Sequence, residues 1–522
     1  MSLQRVLADL ATRYPAEDQM VPDVERITLL LDLLGSPQRA YPSIHLTGTN
    51  GKSSTARMVD ALLQGFGLRP GRYTSPHLDS VTERITIDGQ PLSEERFAEV
   101  YDELRPYVEI VDSRMPVPLT FFEILTAMAF AAFADAPVDV AVVEVGLGGL
   151  WDATNVVQAG TAVVLPVGLD HVPLLGTTLA EIATEKAGII HPGATVVLAQ
   201  QPPEAAEVLL RRCVEVGATV AREGLEFGVL ERATAVGGQL LTLQGLGGRY
   251  EDLYLPLHGA HQAANAAAAL AAVEAFLGGG DKGMLDVELV REGFARTASP
   301  GRLEVVRTSP TVLLDAAHNA HGMTATVAAL ADAFAFTHLV AVVACLSDKD
   351  VLSMLEVLEP AVAQVVVTQN GSPRALPVDQ LADLARDVFG EDRVTIEDAL
   401  DDALSTAVAL ADAEAEYGGA GVLVTGSVVT VGEPCRVLVS VTAPVDGYFG
   451  GRGRIRLATI DGAAVSIDGD AAPIDAANDS VVSARFVTPG LISVMRVRVD
   501  LPGPAGLVWW RRTTDIVIDD VH

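Results

Sequence analysis

Hydrophobic positions alternate between short β-branched runs and longer helical stretches from residue 44 to about residue 200. The apolar stretch at residues 121–133 has the length and pattern of a helix. Three apolar runs have the length of buried strands: residues 136–144, 161–165 and 195–199. Strands separated by helices predict a parallel, doubly wound sheet, so we expect an α/β domain here.

The pattern changes after this region and then starts again. Residues 204–255 are more strand-like and rich in turns, while helices are predicted at residues 261–276 and 287–295. A second alternation of strands and helices begins near Pro300, after a hinge at residues 297–301. Its predicted strands are residues 311–314, 339–343, 363–368 and 421–425. This second alternation predicts a smaller, Rossmann-like α/β domain.

The last 90 residues or so have no helical pattern. Strand-like runs punctuated by Gly, Pro and Asp occur at residues 437–441, 455–460, 464–467, 481–486 and 494–499. We therefore expect three parts: a first domain at residues 1–297, a second at 298–433, and a β-rich or partly disordered extension at 434–522. The extension is open to three interpretations: a small β module, a partner-binding surface or a segment without a selected role.

A glycine loop joins the first predicted strand, which ends at residues 44–47, to a helix at residues 54–63. Glycines let backbone N–H groups approach phosphate oxygens, the helix end adds positive potential, and a lysine adds a point charge. The longer phosphate-loop pattern requires Gly at position 46, where this chain has Leu, so the match is to a shorter form. An ordinary glycine turn remains the alternative. The loop residues are Gly48, Thr49, Asn50, Gly51, Lys52, Ser53 and Ser54.

Composition supports a functional role for the lysine in the loop. Only four of the 36 basic residues are lysines: Lys52, Lys186, Lys282 and Lys349. The net charge of −32 argues against binding to nucleic acid or to anionic membranes. Three cysteines and the absence of a long apolar run predict a cytoplasmic protein without a disulfide framework. Anionic substrates would then require the few cations to be gathered locally.

Polar residues follow several of the predicted strands, where parallel sheets bind ligands. Glu144 ends a strand beside a glycine-rich turn, a position where phosphate-binding enzymes hold Mg²⁺, although an edge salt bridge is equally compatible. His171 follows the next strand, either as a second metal ligand or as a packed histidine. Lys186 lies near the end of a short helix.

The order and spacing of these motifs resemble the bifunctional dihydrofolate synthase/folylpolyglutamate synthase family of Mur-type amide ligases. The resemblance covers residues from about 20 to 433 and includes the phosphate loop, Tyr73–Leu78, Thr120–Glu123, Glu144–Gly149, Asp152–Asn155, Glu185–Ile189, Pro300–Arg302 and Asp315–Asn319. One departure is Leu150, which stands where an Arg commonly follows the glycine pair. Another is the extension after residue 433.

The resemblance implies a role for each matching residue. The residues implied to bind ATP are those of the loop Gly48–Ser54 together with Asn265, Arg302 and Asp315, the last two from across a domain cleft. The implied Mg²⁺ ligands are Ser75, Glu144 and His171. The implied pterin-facing residues are Thr120, Phe121, Phe122, Glu123, Trp151, Asp152 and Ala153. Lys186 would be carbamylated and His318 would lie near the nucleotide; with Lys52, these form the expected catalytic set.

The implied reaction is ATP-dependent addition of L-glutamate to dihydropteroate or a folate through an acyl phosphate, by a monomer. A Mur ligase acting on a peptidoglycan precursor shares the loop and the chemistry. A nucleotide-binding protein without ligase activity would share the loop alone. Both remain alternatives at this point, because the loop by itself does not distinguish them.

Overall fold

The computed structural model describes residues 2–13, 23–278, 283–308, 310–414 and 419–432, and five strands in the C-terminal extension. The chain divides into two compact units, Met1–Ser299 and Pro300–His522. Among the residues described, no helix combines the length and the apolar character that crossing a membrane requires.

A mainly parallel sheet of eight strands organises the first unit. Its strands are β1 (Ser43–Thr47), β2 (Pro70–Tyr73), β3 (Ile85–Ile87), β4 (Gln90–Pro91), β5 (Val140–Glu144), β6 (Thr161–Val164), β7 (Thr195–Leu198) and β8 (Thr219–Arg222). Their spatial order is β4-β3-β2-β5-β1-β6-β7-β8. Only the pairings of β3 with β2 and with β4 are antiparallel. The sheet confirms the predicted doubly wound domain.

Helices cover both faces of this sheet. They are α1 (Leu3–Ala11), α2 (Glu25–Leu33), α3 (Lys52–Gly65), α4 (Glu94–Arg114), α5 (Phe121–Asp135), α6 (Val172–Leu175), α7 (Leu179–Ala187), α8 (Pro203–Val216), α9 (Ala260–Leu277) and α10 (Val287–Ala295). Alternate residues of β5 belong to different cores: Ala141 and Val143 pack with α4 and α5, while Val140 and Val142 pack with α3 and α9. This alternation follows from the two-residue period of a strand, and it places Glu144 on the α3 face.

The prediction for residues 204–255 was wrong in its first part. Residues 203–216 form α8, in which Ala205, Leu209 and Cys213 are buried at a spacing of four residues, the spacing of a helix face. The strand-like part is correct: β9 (Gly228–Ala235), β10 (Gly238–Gln244) and β11 (Arg249–Leu255) form an antiparallel sheet.

The second unit contains a six-stranded sheet. Its strands are β12 (Arg302–Thr308), β13 (Thr311–Asp315), β14 (His338–Val343), β15 (Gln364–Val367), β16 (Val394–Ile396) and β17 (Ala420–Thr425). Its helices are α11 (Ala320–Ala333), α12 (Val351–Leu358), α13 (Val378–Phe389), α14 (Leu400–Glu414) and α15 (Val428–Gly432). The strand order is β12-β13-β17-β14-β15-β16, and all pairings except β12 with β13 are parallel. The second α/β domain is therefore confirmed, although β12 and β16 were not predicted.

Five strands are described in the C-terminal extension. They are β18 (Leu438–Ala443), β19 (Arg454–Thr459), β20 (Ser480–Arg485), β21 (Val494–Pro502) and β22 (Trp509–Val517). β18 pairs with β20, and β19, β21 and β22 form a separate antiparallel sheet. The strand predicted at residues 464–467 lies outside the described residues. β22 was not predicted.

Gly71 of β2 offers a direct test of packing beneath the first sheet. A Cβ at this position would lie 2.6 Å from Cδ1 of the buried Phe133 ring, whereas a Cβ on Gly160 would meet nothing within 4 Å. We expect Gly71→Ala to lower the free energy of unfolding by about 1–3 kcal/mol, because the core must shift to admit the methyl group. Denaturant unfolding monitored by circular dichroism measures the change.

Gly160→Ala is the matched control, with an expected change within about 0.5 kcal/mol. Equal effects of the two substitutions would contradict this account of the core.

Candidate active site

Four neighbouring strands bring predicted site residues to one edge of the first sheet. β2, β5, β1 and β6 lie side by side and run parallel, so their carboxyl ends share that edge. Ser75 lies two residues after β2, Glu144 is the last residue of β5, and Gly48 directly follows β1. Because open α/β sheets bind ligands at the carboxyl ends of their strands, this edge is the candidate active site.

The loop after β1 has a backbone that only glycine adopts readily. Gly48 and Gly51 have φ values of 153° and 86°. A Cβ on Gly48 would lie 2.6 Å from the Cβ of Leu165, so the loop is closely packed on the segment that follows β6. α3 begins at Lys52, and the amides of its first turn, which a helix cannot pair with its own carbonyls, therefore adjoin the loop.

Thr49 fixes the loop to the segment after β6 through three hydrogen bonds. Its amide donates to the Pro166 carbonyl at 3.0 Å. Its hydroxyl donates to the Gly168 carbonyl at 3.0 Å and accepts from the Gly168 amide at 2.9 Å. The segment after β6 thus preorganises the glycine loop that follows β1.

Two lysines converge on this loop. Lys52 Nζ donates to the Gly48 carbonyl at 3.0 Å, and Lys186 Nζ donates to the same oxygen at 3.0 Å. Burial, followed by the nearby Lys52 ammonium, lowers the pKa of Lys186 to about 7, against the opposing effect of Asp170 and Asp152. A substantial fraction of Lys186 is therefore a neutral amine near pH 7, and a neutral amine is nucleophilic.

Glu144 lies between two predicted partners. Its Oε1 accepts from the Ser53 hydroxyl at 2.9 Å and its Oε2 accepts from the Ser75 amide at 3.2 Å. His171 follows β6 with a left-handed φ of 50°, and its Nε2 lies 4.0 Å from Asp170 Oδ1. The structure thus places Ser75 and Glu144 together. The role of His171 as a third Mg²⁺ ligand stays a prediction.

The donor set at Glu144 fits Mg²⁺. In the part of the chain that is described, no three His, Cys, Asp or Glu side chains are grouped to hold a metal. Mg²⁺ commonly takes only one or two protein carboxylates and fills its other positions with phosphate oxygens and water. A single carboxylate beside a phosphate loop and a serine matches that chemistry.

Asp152 holds the glycine-rich turn after β5 and was predicted to face a substrate. Its carboxylate accepts from the Leu147 amide at 2.8 Å and from the Thr154 amide at 2.9 Å. Thr154 Oγ1 in turn lies 2.9 Å from Nε2 of the fully buried His45, a residue that the sequence analysis missed. Burial is the main cause that lowers the pKa of His45 to about 3. Two further predicted substrate residues flank Asp152: the half-buried Trp151 and the buried Ala153.

Asn265 on α9 packs against the phosphate loop. A Cβ on Gly51 would lie 2.6 Å from Asn265 Oδ1. The Asn265 amide donates to Gln262 Oε1 at 3.1 Å, and Gln262 Nε2 donates to the Ser54 hydroxyl at 3.4 Å. Ser54 Oγ is also 3.0 Å from Ser299 Oγ. These bonds place the predicted ATP-binding residues Ser54 and Asn265 in one buried network around the loop.

Glu123, which was predicted to face the pterin, is engaged within the protein. Glu123 is 3% exposed, and its Oε2 accepts from both the amide and the hydroxyl of Thr120 at 2.8 Å. Its Oε1 accepts from Arg26 Nε at 3.0 Å. Thr120 and Glu123 form a capping box, which closes the first turn of α5. Both oxygens of Glu123 thus make hydrogen bonds within the protein, and its predicted substrate role stays a prediction.

The two aromatic residues of the same motif do lie near the strand ends. The Phe122 ring centroid is 5.9 Å from that of Tyr73, the last residue of β2. The Arg84 guanidinium lies 5.2 Å from the Phe121 ring centroid. The half-buried Phe122 ring suits a flat heterocycle, whereas Phe121 is 5% exposed and packs in the core. The substrate role of both phenylalanines stays a prediction.

The second unit carries the remaining predicted residues. Asp315, at the end of β13, accepts from the amides of Leu303 at 2.9 Å and Ala317 at 3.1 Å. The carbonyl of Ala316 accepts from Arg302 at 3.4 Å and lies 3.0 Å from Nδ1 of His318. Arg302, Asp315 and His318 are therefore gathered at one end of β12 and β13.

The fold and the lysine-bearing loop define a Mur-ligase-type protein. The Mur ligase middle domain matches residues 46–273, and the glutamate ligase domain of Mur ligases matches residues 301–428. The dihydrofolate synthase/folylpolyglutamate synthase of Mycobacterium tuberculosis is 53% identical over 83% of this chain and 93% of its own. The Bacillus subtilis protein of the same name is 33% identical, over 72% of this chain and 85% of its own.

A solved structure is similar as well. The crystal structure of Mycobacterium tuberculosis folylpolyglutamate synthase complexed with ADP and AMPPCP has a TM-score of 0.79 and 53% identity. It aligns with 83% of this chain and covers 97% of that one. The chain belongs to the dihydrofolate synthase/folylpolyglutamate synthase family, as its motifs predicted.

The contact between Gly51 and Asn265 generates a prediction. We expect Gly51→Ala to weaken ATP binding at least about tenfold, because the added methyl group must displace Asn265 or distort the left-handed loop. Isothermal titration calorimetry measures the dissociation constant. Gly160→Ala, in open space outside the loop, should bind ATP like the wild type. Equal ATP affinity in both variants would show that the loop tolerates the methyl group.

Proposed function

We propose that this protein is an ATP-dependent ligase that joins L-glutamate to dihydropteroate, to tetrahydrofolate polyglutamates, or to both. The observation that carries the proposal is the pair of lysines on the Gly48 carbonyl, beside Glu144 and the amides at the start of α3. Membership of a family whose relatives carry these activity names supports it further.

The chemistry requires activation of a carboxylate, which is a poor electrophile in water. A carboxylate oxygen of the acceptor attacks the γ-phosphorus of ATP, the bond to the β-phosphate oxygen breaks, and ADP leaves. The glutamate nitrogen then attacks the acyl carbon, phosphate leaves, and the nitrogen loses a proton. Lys52 and the loop amides neutralise charge on the transferring phosphoryl group, which is the main catalytic requirement of such a transfer.

Glu144, Ser75 and His171 are proposed to hold Mg²⁺. The ion, when bound, screens the phosphate oxygens from the attacking carboxylate and from Glu144 itself. Ser53 positions Glu144 through its 2.9 Å hydrogen bond. In this arrangement the chain would contribute one carboxylate, and phosphate oxygens and water would fill the other positions.

Lys186 is proposed to be carbamylated. The ammonium would first lose a proton. The neutral amine would then add to CO₂, forming an N–C bond and releasing a second proton, so that the cation becomes an anion. Its pKa of about 7 supports this step, because the neutral amine that must react is present at neutral pH. The change would also remove the repulsion between Lys186 and Lys52, and the new carboxylate would organise the metal or the phosphates.

The remaining assignments follow from the same proposal. Asn265, Arg302 and Asp315 would contact ATP, and His318 would lie near it. The residues proposed to face the pterin are Thr120, Phe121, Phe122, Glu123, Trp151, Asp152 and Ala153. Residues 1–297 would form the ATP-binding catalytic domain, 298–433 the second ligase domain, and 434–522 an extension outside the catalytic machinery. We also propose that the protein acts as a monomer in the cytoplasm, where ATP is available.

Release of ADP and phosphate across a matrix of substrates tests the function. Dihydropteroate, tetrahydrofolate and a peptidoglycan precursor would each be supplied with and without L-glutamate. We expect turnover only with glutamate plus a pteroate or folate. Turnover on the precursor would indicate a Mur ligase, and ATP binding without any turnover would indicate a nucleotide-binding protein.

The loop lysine should be indispensable for turnover. We expect Lys52→Ala to retain less than about a tenth of the wild-type rate, because a phosphate-binding lysine contributes several kcal/mol in the transition state. Steady-state ADP release measures the rate. Arg69→Ala is the matched control, since Arg69 is exposed and precedes β2 at the opposite end of the strand. A rate in Lys52→Ala equal to that of the control would contradict the phosphate-binding role of Lys52.

Only an added carboxylate should restore activity to a variant that lacks the Lys186 side chain. We expect Lys186→Ala to lose activity and to regain part of it with a short-chain carboxylic acid, which would take the place of the carbamate. Wild-type enzyme should lose activity in CO₂-depleted buffer below pH 7, where the amine is protonated and cannot re-form the carbamate. Activity assays with added bicarbonate measure the recovery. Full activity of the unrescued Lys186→Ala variant would exclude the modification.

A further inference from the structure

Arg57 lies on the face of α3 that is turned toward the strand ends. Ser53 on this helix contacts Glu144, and Asp60 pairs with Arg72 of β2 at 2.7 Å. Residues four and three apart on a helix share a face, so Arg57 lies between these two contacts. The side chain therefore extends along the α3 face of β2 and β5, next to the candidate metal ligands.

The carboxylates around Arg57 are already engaged by other groups. Asp60 pairs with Arg72, and both oxygens of Glu144 accept hydrogen bonds from Ser53 and Ser75. Glu83 accepts from three consecutive backbone amides, of Leu78, Asp79 and Ser80, at 2.9 to 3.1 Å. These carboxylates exert an electrostatic attraction on Arg57. Their hydrogen bonds are made to other groups, and Oδ1 of Asp60 has no hydrogen-bond partner among the described residues.

The guanidinium of Arg57 itself has no hydrogen-bond acceptor among the described residues, although the side chain is half-buried. Burial, followed by the Arg72 cation, lowers the pKa of Arg57 to about 10, and Glu83, Glu144 and Asp60 oppose that effect. A half-buried guanidinium without a protein acceptor offers its five donors, arranged in a planar fork, to a ligand. A fork of this geometry is suited to a carboxylate.

We propose that Arg57 binds the reacting carboxylate of the pteroate or folate acceptor, an inference that rests on the proposed function. Arg57 would donate hydrogen bonds to both carboxylate oxygens in a bidentate contact before phosphoryl transfer. This contact would orient one oxygen toward the γ-phosphorus. It would also offset part of the repulsion between the carboxylate and the ATP phosphates.

The surroundings of Arg57 favour the acceptor over the two other anionic substrates. Phe122, which is proposed to face the pterin, lies against Tyr73 at the end of β2, the strand that also carries Arg72. Phe121 lies against Arg84, which directly precedes β3. The phosphates of ATP are provided for by the loop and by Lys52, on the other side of Ser53 along α3. The glutamate ligase domain, residues 301–428, is a separate part of the chain.

A pair of acceptor ligands tests the proposal. The probes are dihydropteroate and an analogue that lacks only its carboxylate, and calorimetry compares their dissociation constants in the presence of a non-hydrolysable ATP analogue. We expect wild type to prefer dihydropteroate at least about tenfold. Arg57→Met, which keeps length and apolar packing, should lose that preference while binding the decarboxylated analogue as wild type does. Its KM for ATP should be unchanged.

Arg57→Lys provides the second variant in case Arg57→Met fails to fold. It keeps the charge without the planar fork, so its preference should fall between those of wild type and Arg57→Met. An undiminished preference for the carboxylate in either folded variant would overturn the proposal, and so would a raised KM for ATP with unchanged acceptor binding. The wild-type ADP-release assay separates these results from failure of the proposed function, because that failure would abolish glutamate-dependent turnover in the wild type itself.

Discussion

Two ammonium groups share one carbonyl oxygen at the centre of the site, and this arrangement constrains its chemistry. Lys52 and Lys186 each donate to the Gly48 carbonyl at 3.0 Å, and Lys186 is only 4% exposed. Two like charges in such a position repel each other strongly, because little water screens them. The repulsion is relieved when anions bind or when one lysine loses its charge. Triphosphate binding would supply the first route, and the proposed carbamylation of Lys186 would supply the second.

The sheet is what makes this convergence possible. Parallel strands place the loop after β1, the acid ending β5 and the serine following β2 at one edge, although these residues are far apart in sequence. The two-residue period of β5 turns Glu144 toward α3, where Ser53 meets it. A chain with a net charge of −32 can thereby concentrate cations where its anionic substrates react.

The parts of the site that are encoded in contiguous residues could be predicted from sequence. The phosphate loop, Glu144 at a strand end and Lys186 on a short helix depend on local pattern. His45 was missed because a polar residue within a buried strand gains its role from Thr154, 109 positions away. The structural role of Glu123 was overlooked, although Thr120 and Glu123 have capping-box spacing. Arg57 could not be identified at all from sequence, because its position depends on which face of β5 packs against α3.

Transfer of an oxygen atom from the acceptor to phosphate tests the account most directly, because it reports the acyl phosphate itself. Dihydropteroate labelled with ¹⁸O in its carboxylate would be turned over with ATP and L-glutamate, and the released phosphate analysed by mass spectrometry. The account predicts one ¹⁸O atom in the phosphate for each amide bond formed, because the carboxylate oxygen that attacks the γ-phosphorus leaves with it. Unlabelled phosphate accompanying amide formation would contradict the account.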